Sequence, residues 1–340
     1  MSAASCVLVT GGTGCIGAAT VHALTRLGAE RIVVASRTAA PGLLRLWFDG
    51  VLDPRIALVR ADIGVPADLE RLVRDHEPTQ VIHLGALQTP DCEADHARGL
   101  LVNAGGTLQL LDACVARARR LTRFVFASSA AVYGLRSRYP GPLVAESDPL
   151  APVNLYGVWK LAGEELVRLY HERHGIDAIS LRLNTTYGKG RDRGKTAGVT
   201  RAMKAVALGS VRGEVIPHRM SYGGRENYHF VADVGEAFAR AALMPFRGHA
   251  AFNLRGQTHP VAGFLDRIAH VAASLGLSRH VDLAIAADAP ANPFVCDLDD
   301  RRICAAFPGM PLSSLDDGIR SSLQTFIAVA RSGPLELDAS

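Results

Sequence analysis

The chain has 340 residues, of which 48% are apolar and 21% charged, with a net charge of +4. That length supplies a large core for one big domain or two modest ones, and so small a positive charge makes no case for a nucleic-acid partner. The six cysteines are scattered and form no C-x-x-C, which fits a reducing compartment and neither a disulfide frame nor a zinc site.

No apolar run approaches the roughly 18 residues of a membrane span. The opening "MSAASCVLVTGG" enters a strand with no basic leader or cleavage pattern. A cytoplasmic protein is expected, with no metal, no membrane and no nucleic acid among its partners.

Taken in order, Cys6–Thr10 reads as a strand, Ile16–Leu27 as a helix and Arg31–Ala35 as a strand. Ile56–Arg60 is a third strand, followed by a helix through Leu69–Arg74. Gln80–Leu84 is a fourth strand, Gly99–Arg119 a long helix and Arg123–Ala127 a fifth strand. Tyr156–His174 is a second long helix and Ala178–Leu183 a sixth strand. The strands alternate little between apolar and polar residues, as strands buried on both faces do. Repeated βα units of this size predict an α/β, doubly wound parallel sheet. After residue 184 the regularity drops, and the rest reads as a smaller mixed lid. The expected division is 1–186 for the sheet domain, with 228–247 returning to it, and 187–340 mainly for the lid. The basic run Arg117–Arg123 ends a helix, where the helix dipole favours cations.

The first strand runs into "VTGGTGCIG". Gly11, Gly14 and Gly17 suit, in turn, a tight turn, the approach of backbone to a diphosphate, and close packing of helix on sheet. Thr13, Cys15 and Ile16 lie within the same loop and first helical turn, whose free N–H groups face an anion. The second strand ends in Ser36-Arg37 rather than a carboxylate. A hydroxyl and a guanidinium suit a 2′-phosphate, so NADP is favoured, with NAD the alternative. Asp62, followed by Ile63, comes after the third strand, where a carboxylate can accept from an adenine amino group.

Strand five ends in "ASSAAVYG", and Tyr156 and Lys160 open the following long helix four residues apart, on one face. In a parallel sheet both places lie at the carboxyl end, where ligands bind. A phenol, an ammonium and a serine hydroxyl suit hydride transfer coupled to a proton. A free tyrosine titrates near about 10. The Lys160 ammonium and a nicotinamide cation are both expected to favour the phenolate, so that Tyr156 acts as acid or base near neutrality.

Together the glycine pattern, "HLGA" (83–86), Asn103, "SSAAVYG", "YGVWK", "LRLNTTYG", "YHFVADVGEAF" and "LDDGIR" resemble the extended short-chain dehydrogenase/reductases. The branch is the NAD(P)-dependent epimerase/dehydratase group. The resemblance covers nearly the whole chain. It implies a seven-stranded Rossmann sheet with a C-terminal substrate lid, often dimeric through a helix bundle. It also implies that Ser129, Tyr156 and Lys160 are catalytic, Lys160 also holding the nicotinamide ribose. His83, Leu84, Gly85, Ala86 and Asn103 would line the cofactor.

Dehydratases of this group carry an Asp-Glu pair after the serine, and related decarboxylases a glutamate. Here Ala130-Ala131 stands instead and can do no acid–base work. What remains is alcohol/ketone interconversion on a sugar-like, polyhydroxylated substrate, an acidic one among the alternatives. Net oxidation or reduction leads, and sugar-nucleotide 4-epimerisation with tightly bound NAD is the alternative. A non-catalytic dinucleotide-sensing regulator is the alternative from another class.

Two departures bear on substrate. Sugar-nucleotide members place near residue 230 an arginine that grips the diphosphate, and an ungapped alignment puts Glu226 there, with Arg225 adjacent. Thr185 stands where those enzymes often have an asparagine. Candidate substrate contacts are Gln88, Thr89, Ser129, Asn184, Thr185, Arg191 and Arg225, with the loop Arg136–Arg138.

Overall fold

The computed structural model describes residues 5–333 and 335–337. The first half runs β1 (Cys6–Thr10), α1 (Cys15–Arg26), β2 (Arg31–Ser36), α2 (Gly42–Trp47), β3 (Ile56–Arg60), α3 (Pro66–His76) and β4 (Gln80–His83). Next come α4 (Thr89–Ala94), α5 (His96–Gly99), a π-helical turn (Leu100–Gly105), α6 (Gly106–Arg117), β5 (Arg123–Ser129), α7 (Leu155–His174) and β6 (Asp177–Leu183). The remainder is β7 (Thr185–Tyr187), α8 (Gly198–Arg212), β8 (His218–Met220), β9 (Arg225–Phe230), α9 (Val231–Leu243) and β10 (His249–Asn253). It closes with β11 (Gln257–Pro260), α10 (Val261–Ser274), β12 (Leu283–Ile285), α11 (Arg301–Ala306) and α12 (Leu315–Ser332).

Seven strands form one parallel sheet in the order β10-β6-β5-β4-β1-β2-β3. Alternate residues of each strand serve opposite faces. Val7, Val9, Ile32 and Val34 join a core with α1 and α9 through Ala18, Val21, Leu24, Val234 and Phe238. Cys6, Leu8, Val33 and Ala35 join a second core with α3, α6 and α7 through Leu69, Leu72, Leu110 and Val167. Both faces are therefore covered, which explains why the strands read as continuous apolar runs. A third core joins α8, α10 and α12 around Tyr187 and Tyr228. Residues of β10 and α11, among them Phe252 and Ile303, pack into the first core.

The segment His96–Arg117 is helical over 22 residues and apolar enough by composition to cross a membrane, which the sequence reading had passed over. Half of it is buried inside the fold. Its Leu110, Leu111 and Cys114 face the second core, as a core helix requires. The π-helical turn interrupts the single helix expected over Gly99–Arg119.

β1 and β4 are neighbours, so the chain reverses its order of travel between them. In open α/β sheets ligands bind at the carboxyl ends of the strands flanking such a reversal. The β1–α1 loop, the residues after β4 and the end of β5 all meet there.

Candidate active site

At the end of β1, Gly11 has φ +68, and a Cβ there would lie 2.9 Å from the Gly85 nitrogen. Only a residue without a side chain lets the two backbones meet. A Cβ on Gly17 would lie 2.3 Å from the Gly11 carbonyl oxygen, so α1 starts hard against the turn. Gly14 caps α1 and is exposed, while Thr13, Cys15 and Ile16 are half-buried around it. The result is a shallow cradle at a helix N-terminus whose backbone N–H groups face outward. It fits a diphosphate.

The cradle's flanks carry the other candidates. Ser36 accepts from the Ala39 N–H at 3.0 Å, and Arg37 is exposed just beyond β2. One Asp62 carboxylate oxygen accepts from the Gly64 N–H at 2.9 Å, and the residue stays half-exposed at the end of β3. The Ile63 side chain packs against Gly85. The Leu84 N–H donates to Thr10 at 3.2 Å, and Gly85 and Ala86 continue the cradle wall.

Two residues expected at the cofactor act behind that wall. Asn103 is buried, its amide oxygen accepting from the Leu87 N–H at 2.7 Å and its nitrogen donating to the Leu87 carbonyl at 3.0 Å. It holds the loop after β4 in shape and spends both polar atoms doing so. His83 is buried between the Thr10 and Thr107 hydroxyls, at 2.6 Å and 3.1 Å. Burial, with the Lys160 cation near, pushes its imidazole down to about 3, so it is a neutral core group.

Helix α7 starts at Asn154, whose side chain accepts from the Gly157 N–H at 2.8 Å. A Cβ on Gly157 would lie 2.5 Å from the Ala131 carbonyl oxygen. The glycine therefore lets the first turn of α7 close on the turn after β5. That approach brings the Tyr156 phenol beside the Ser129 hydroxyl. The Ser129 oxygen also accepts from the Ala131 N–H at 3.1 Å.

Lys160, one turn later, is buried and donates to the Ala127 carbonyl at 2.7 Å. Its Nζ lies 5.0 Å from the centre of the Phe126 ring and 5.7 Å from that of Tyr156. Burial lowers it to about 8.

The lowering expected of Tyr156 belongs to Lys160 and a bound nicotinamide cation together; among the chain's own groups burial is the largest influence. Burial raises the phenol, opposed by the neighbouring Ser129 hydroxyl and the Arg191 guanidinium. The Lys160 ammonium is turned to the Ala127 carbonyl and is not among the groups that shift the phenol. At neutral pH the phenol keeps its proton and is a donor.

Behind Lys160, Glu164 and Arg182 form a buried ion pair at 2.7 Å. Arg182 also donates to the Tyr133 hydroxyl at 2.7 Å, and Ser128 donates to Glu164. This network ties α7 to β5 and β6. Arginine five residues into strand six gave no sign in the sequence of a partner on α7.

The substrate candidates divide. Thr185 is fully buried beyond β6. Asn184 donates its amide to the Val295 carbonyl at 2.8 Å and belongs to the wall. Gln88 precedes α4, which Thr89 opens, and its side chain lies against Gly194. Arg136 pairs with Asp297 at 3.1 Å and donates to the Gly141 carbonyl, bracing its loop. Arg225 is exposed, 3.7 Å from Asp297. Arg191 donates to the Thr196 hydroxyl at 2.7 Å and lies within electrostatic reach of Tyr156, Cys15 and Tyr222.

The segment 189–194 crosses the cradle. The Cys15 thiol donates to the Lys189 carbonyl at 3.6 Å, and burial pushes that thiol up to about 12. The Lys189 Nζ sits 4.4 Å from the centre of the Trp47 ring and donates to the Leu46 carbonyl at 3.1 Å. Gly190 abuts Leu43.

A parallel sheet wound in this order, with a glycine cradle at its reversal, defines a Rossmann-type α/β enzyme fold. The family profile described as "NAD dependent epimerase/dehydratase family" matches residues 7–254. The chain belongs to that family, of the extended short-chain dehydrogenase/reductase type. It is 33% identical over 177 residues to a UDP-glucose 4-epimerase of Azospirillum brasilense, covering 52% of this chain and 47% of that protein. It is 34% identical over 185 residues to a D-erythronate dehydrogenase of Cupriavidus necator, covering 53% of this chain and 54% of that one. The chain thus spans about half the length of these two curated relatives. The solved UDP-glucose 4-epimerase from Brucella ovis in complex with NAD superposes with a TM-score of 0.75 at 27% identity, over 95% of this chain and 99% of that one.

Proposed function

We propose that the chain interconverts a secondary alcohol and a ketone on a sugar-like, polyhydroxylated substrate, using a nicotinamide dinucleotide, with Ser129, Tyr156 and Lys160 as catalytic residues. A single observation carries this reading: the Tyr156 phenol stands beside Ser129 at the carboxyl end of β5, one helical turn from buried Lys160. The cradle at Gly11, Gly14 and Gly17 would hold the dinucleotide's diphosphate, and the dinucleotide, when bound, supplies or accepts the hydride. Ser129 orients the substrate oxygen. Tyr156 gives that oxygen its proton in reduction and takes it back in oxidation. Lys160 offsets the charge left on the phenol.

Ala130 and Ala131 carry no group able to protonate a leaving hydroxyl, which supports redox chemistry over dehydration. Exposed Arg37 beside Ser36 supports NADP, and the Brucella ovis epimerase solved with NAD supports NAD as the alternative. Sugar-nucleotide 4-epimerisation is the second reading, favoured by the epimerases among the relatives. Arg191, close to Tyr156, is placed to meet a carboxylate or phosphate of the substrate. Apolar Leu100, Leu101 and Val158 are exposed on and beside α7, which supports a homodimer through these helices.

The test is Tyr156→Phe, read by nicotinamide absorbance with sugars, sugar acids and UDP-sugars and by dinucleotide fluorescence titration. Turnover should fall by about a hundredfold or more while dinucleotide affinity holds. Retained turnover would remove Tyr156 as the proton donor.

A further inference from the structure

Lys204, in α8, is 5% exposed, and lysines are almost never so deeply buried unless paired. Its Nζ forms an ion pair with the Asp192 carboxylate at 2.5 Å, donates to the Glu336 carbonyl at 2.9 Å and lies 5.9 Å from the centre of the Phe326 ring on α12. The Asp192 oxygen it meets makes no aligned hydrogen bond, so the attraction is one of charge. An ammonium carries three donors and no acceptor. Here it ties together two segments that belong to no helix or strand: 189–194, which crosses the glycine cradle, and 335–337, which follows α12.

Each segment brings something to the junction. Leu335 packs against the third core, and with Leu337 it walls a groove whose other side is Leu208 and Val211 of α8 and Ala330 of α12. That apolar seat sets the Glu336 carbonyl against the buried ammonium. On the crossing segment Arg191 stands next to Asp192 and has no carboxylate partner among the described residues. Its Nη2 donates to the Thr196 hydroxyl at 2.7 Å, its Nε is buried without a hydrogen bond, and its charge reaches Tyr156. A side chain so placed keeps its direction only as firmly as the backbone that carries it. On the lid side that backbone is fastened at Asp192, through Lys204 and through Arg201, which donates to the Asp192 carbonyl at 3.5 Å.

We propose that Lys204 is a positioning residue for an anionic group of the substrate. It draws Asp192 toward the lid, keeps the crossing segment against the cradle and so aims Arg191 at the reacting centre. The segment 335–337 acts through it. The Glu336 carbonyl and the apolar seat keep water from the ammonium, and an ion pair opened to water would be worth little. This inference rests on the proposed reaction at Ser129, Tyr156 and Lys160, with Arg191 as the contact for a carboxylate or phosphate.

The experiment uses the full chain with Lys204→Met, which keeps an apolar stem and removes the charge, with Asp192→Ala, with both, and with Leu335→Asn, which unseats 335–337 and leaves Lys204 in place. Thermal melting confirms that each folds, and Leu335→Asn decides the matter if Lys204→Met does not. Hydrogen exchange is followed by mass spectrometry at the Gly188, Arg191 and Ala197 amides, which donate to the Thr200 hydroxyl, the Gly188 carbonyl and the Gly194 carbonyl. These amides should exchange about tenfold faster in Lys204→Met and in Asp192→Ala, and the double variant should be no faster than either, since both remove one contact. Leu335→Asn should speed them too, by less. In turnover, KM for sugar acids or UDP-sugars should rise about tenfold in Lys204→Met with kcat little changed, while KM for neutral sugars holds. Exchange that quickens only in α8 and α12 would show a local packing role and overturn the inference, as would equal KM shifts for acidic and neutral substrates. Wild type without turnover on any of these compounds, or Tyr156→Phe with full turnover, would sink the proposed reaction instead, and the exchange comparison would still judge Lys204.

Discussion

Glu164 and Arg182 meet side by side, with the Arg182 Nε 2.9 Å from Oε1 and Nη2 2.7 Å from Oε2, both side chains 4% exposed. Glu164 stands one helical turn beyond Lys160, so the pair fixes the height at which α7 crosses β5 and β6. Removing one member strands the other in the core. Arg182→Ala should lose about 3–5 kcal/mol of stability in urea unfolding. Replacing both by apolar residues of similar volume should cost much less, because the desolvation penalty of both charges disappears with them.

Gly157 sets the distance between α7 and the turn after β5. Gly157→Ala pushes a methyl toward the Ala131 carbonyl oxygen, which the backbone can avoid only by moving Tyr156 off Ser129. Overpacking of this kind costs about 1–3 kcal/mol. The larger effect should be on turnover, with kcat falling about a hundredfold for a displacement of about an ångström. Dinucleotide titration should be unchanged, which separates misplacement from loss of the cradle.

Lys160 leaves a signature in the pH dependence of stability. Its ammonium titrates at about 8 in the folded chain against an ordinary value of 10.5. Below pH 8 both states hold the proton and its burial is a constant deficit. Between 8 and 10.5 the unfolded chain binds more protons, so this residue's contribution rises with pH and the deficit is relieved. The deficit is about 3 kcal/mol at 1.36 kcal/mol per pH unit. Melting of the dinucleotide-free protein, wild type against Lys160→Met, should show the rise only in wild type. Parallel curves would mean the ammonium is not desolvated in solution.

Arg37 is the handle on cofactor choice. If NADP is preferred, Arg37→Glu should weaken it by at least about tenfold and spare or improve NAD, since a carboxylate repels the 2′-phosphate. Fluorescence titration with both dinucleotides reads this directly. Equal effects on the two would assign Arg37 to the adenine instead.

Much of the sheet could be read from the sequence because its strands are covered on both faces. Cys6–Thr10 and Ile56–Arg60 coincide with β1 and β3, and the other four predicted strands differ by a residue or two at their ends. The seventh strand, β10, reads "HAAFN" and is too small and too polar to announce itself. The glycine pattern and the Tyr156–Lys160 spacing were legible because each is a local geometric demand. Long-range partnerships were not. Nothing near Asn103 says that its amide serves Leu87, and nothing near His83 names Thr10 and Thr107 as its partners. The same holds at Tyr156: Lys160 sits four residues away, but its ammonium is claimed by Ala127 on another element. Glu226 was noticed only as an arginine's replacement. Folding buries it on β9, where its carboxylate accepts from the Asn227 N–H and the Asn292 amide.

The stretch from Lys189 to Gly194 is pinned at one end by the Trp47 face and at the other by Gln88, with Cys15 beneath it. If the cradle holds a dinucleotide as proposed, a molecule of that length can settle under such a strap only after the strap has been lifted. Arrival and departure then depend on the same small set of contacts, and their making and breaking would set how long a guest stays. On the proposed dinucleotide reading, loosening Lys189 should hasten coenzyme exchange without touching the chemistry underneath.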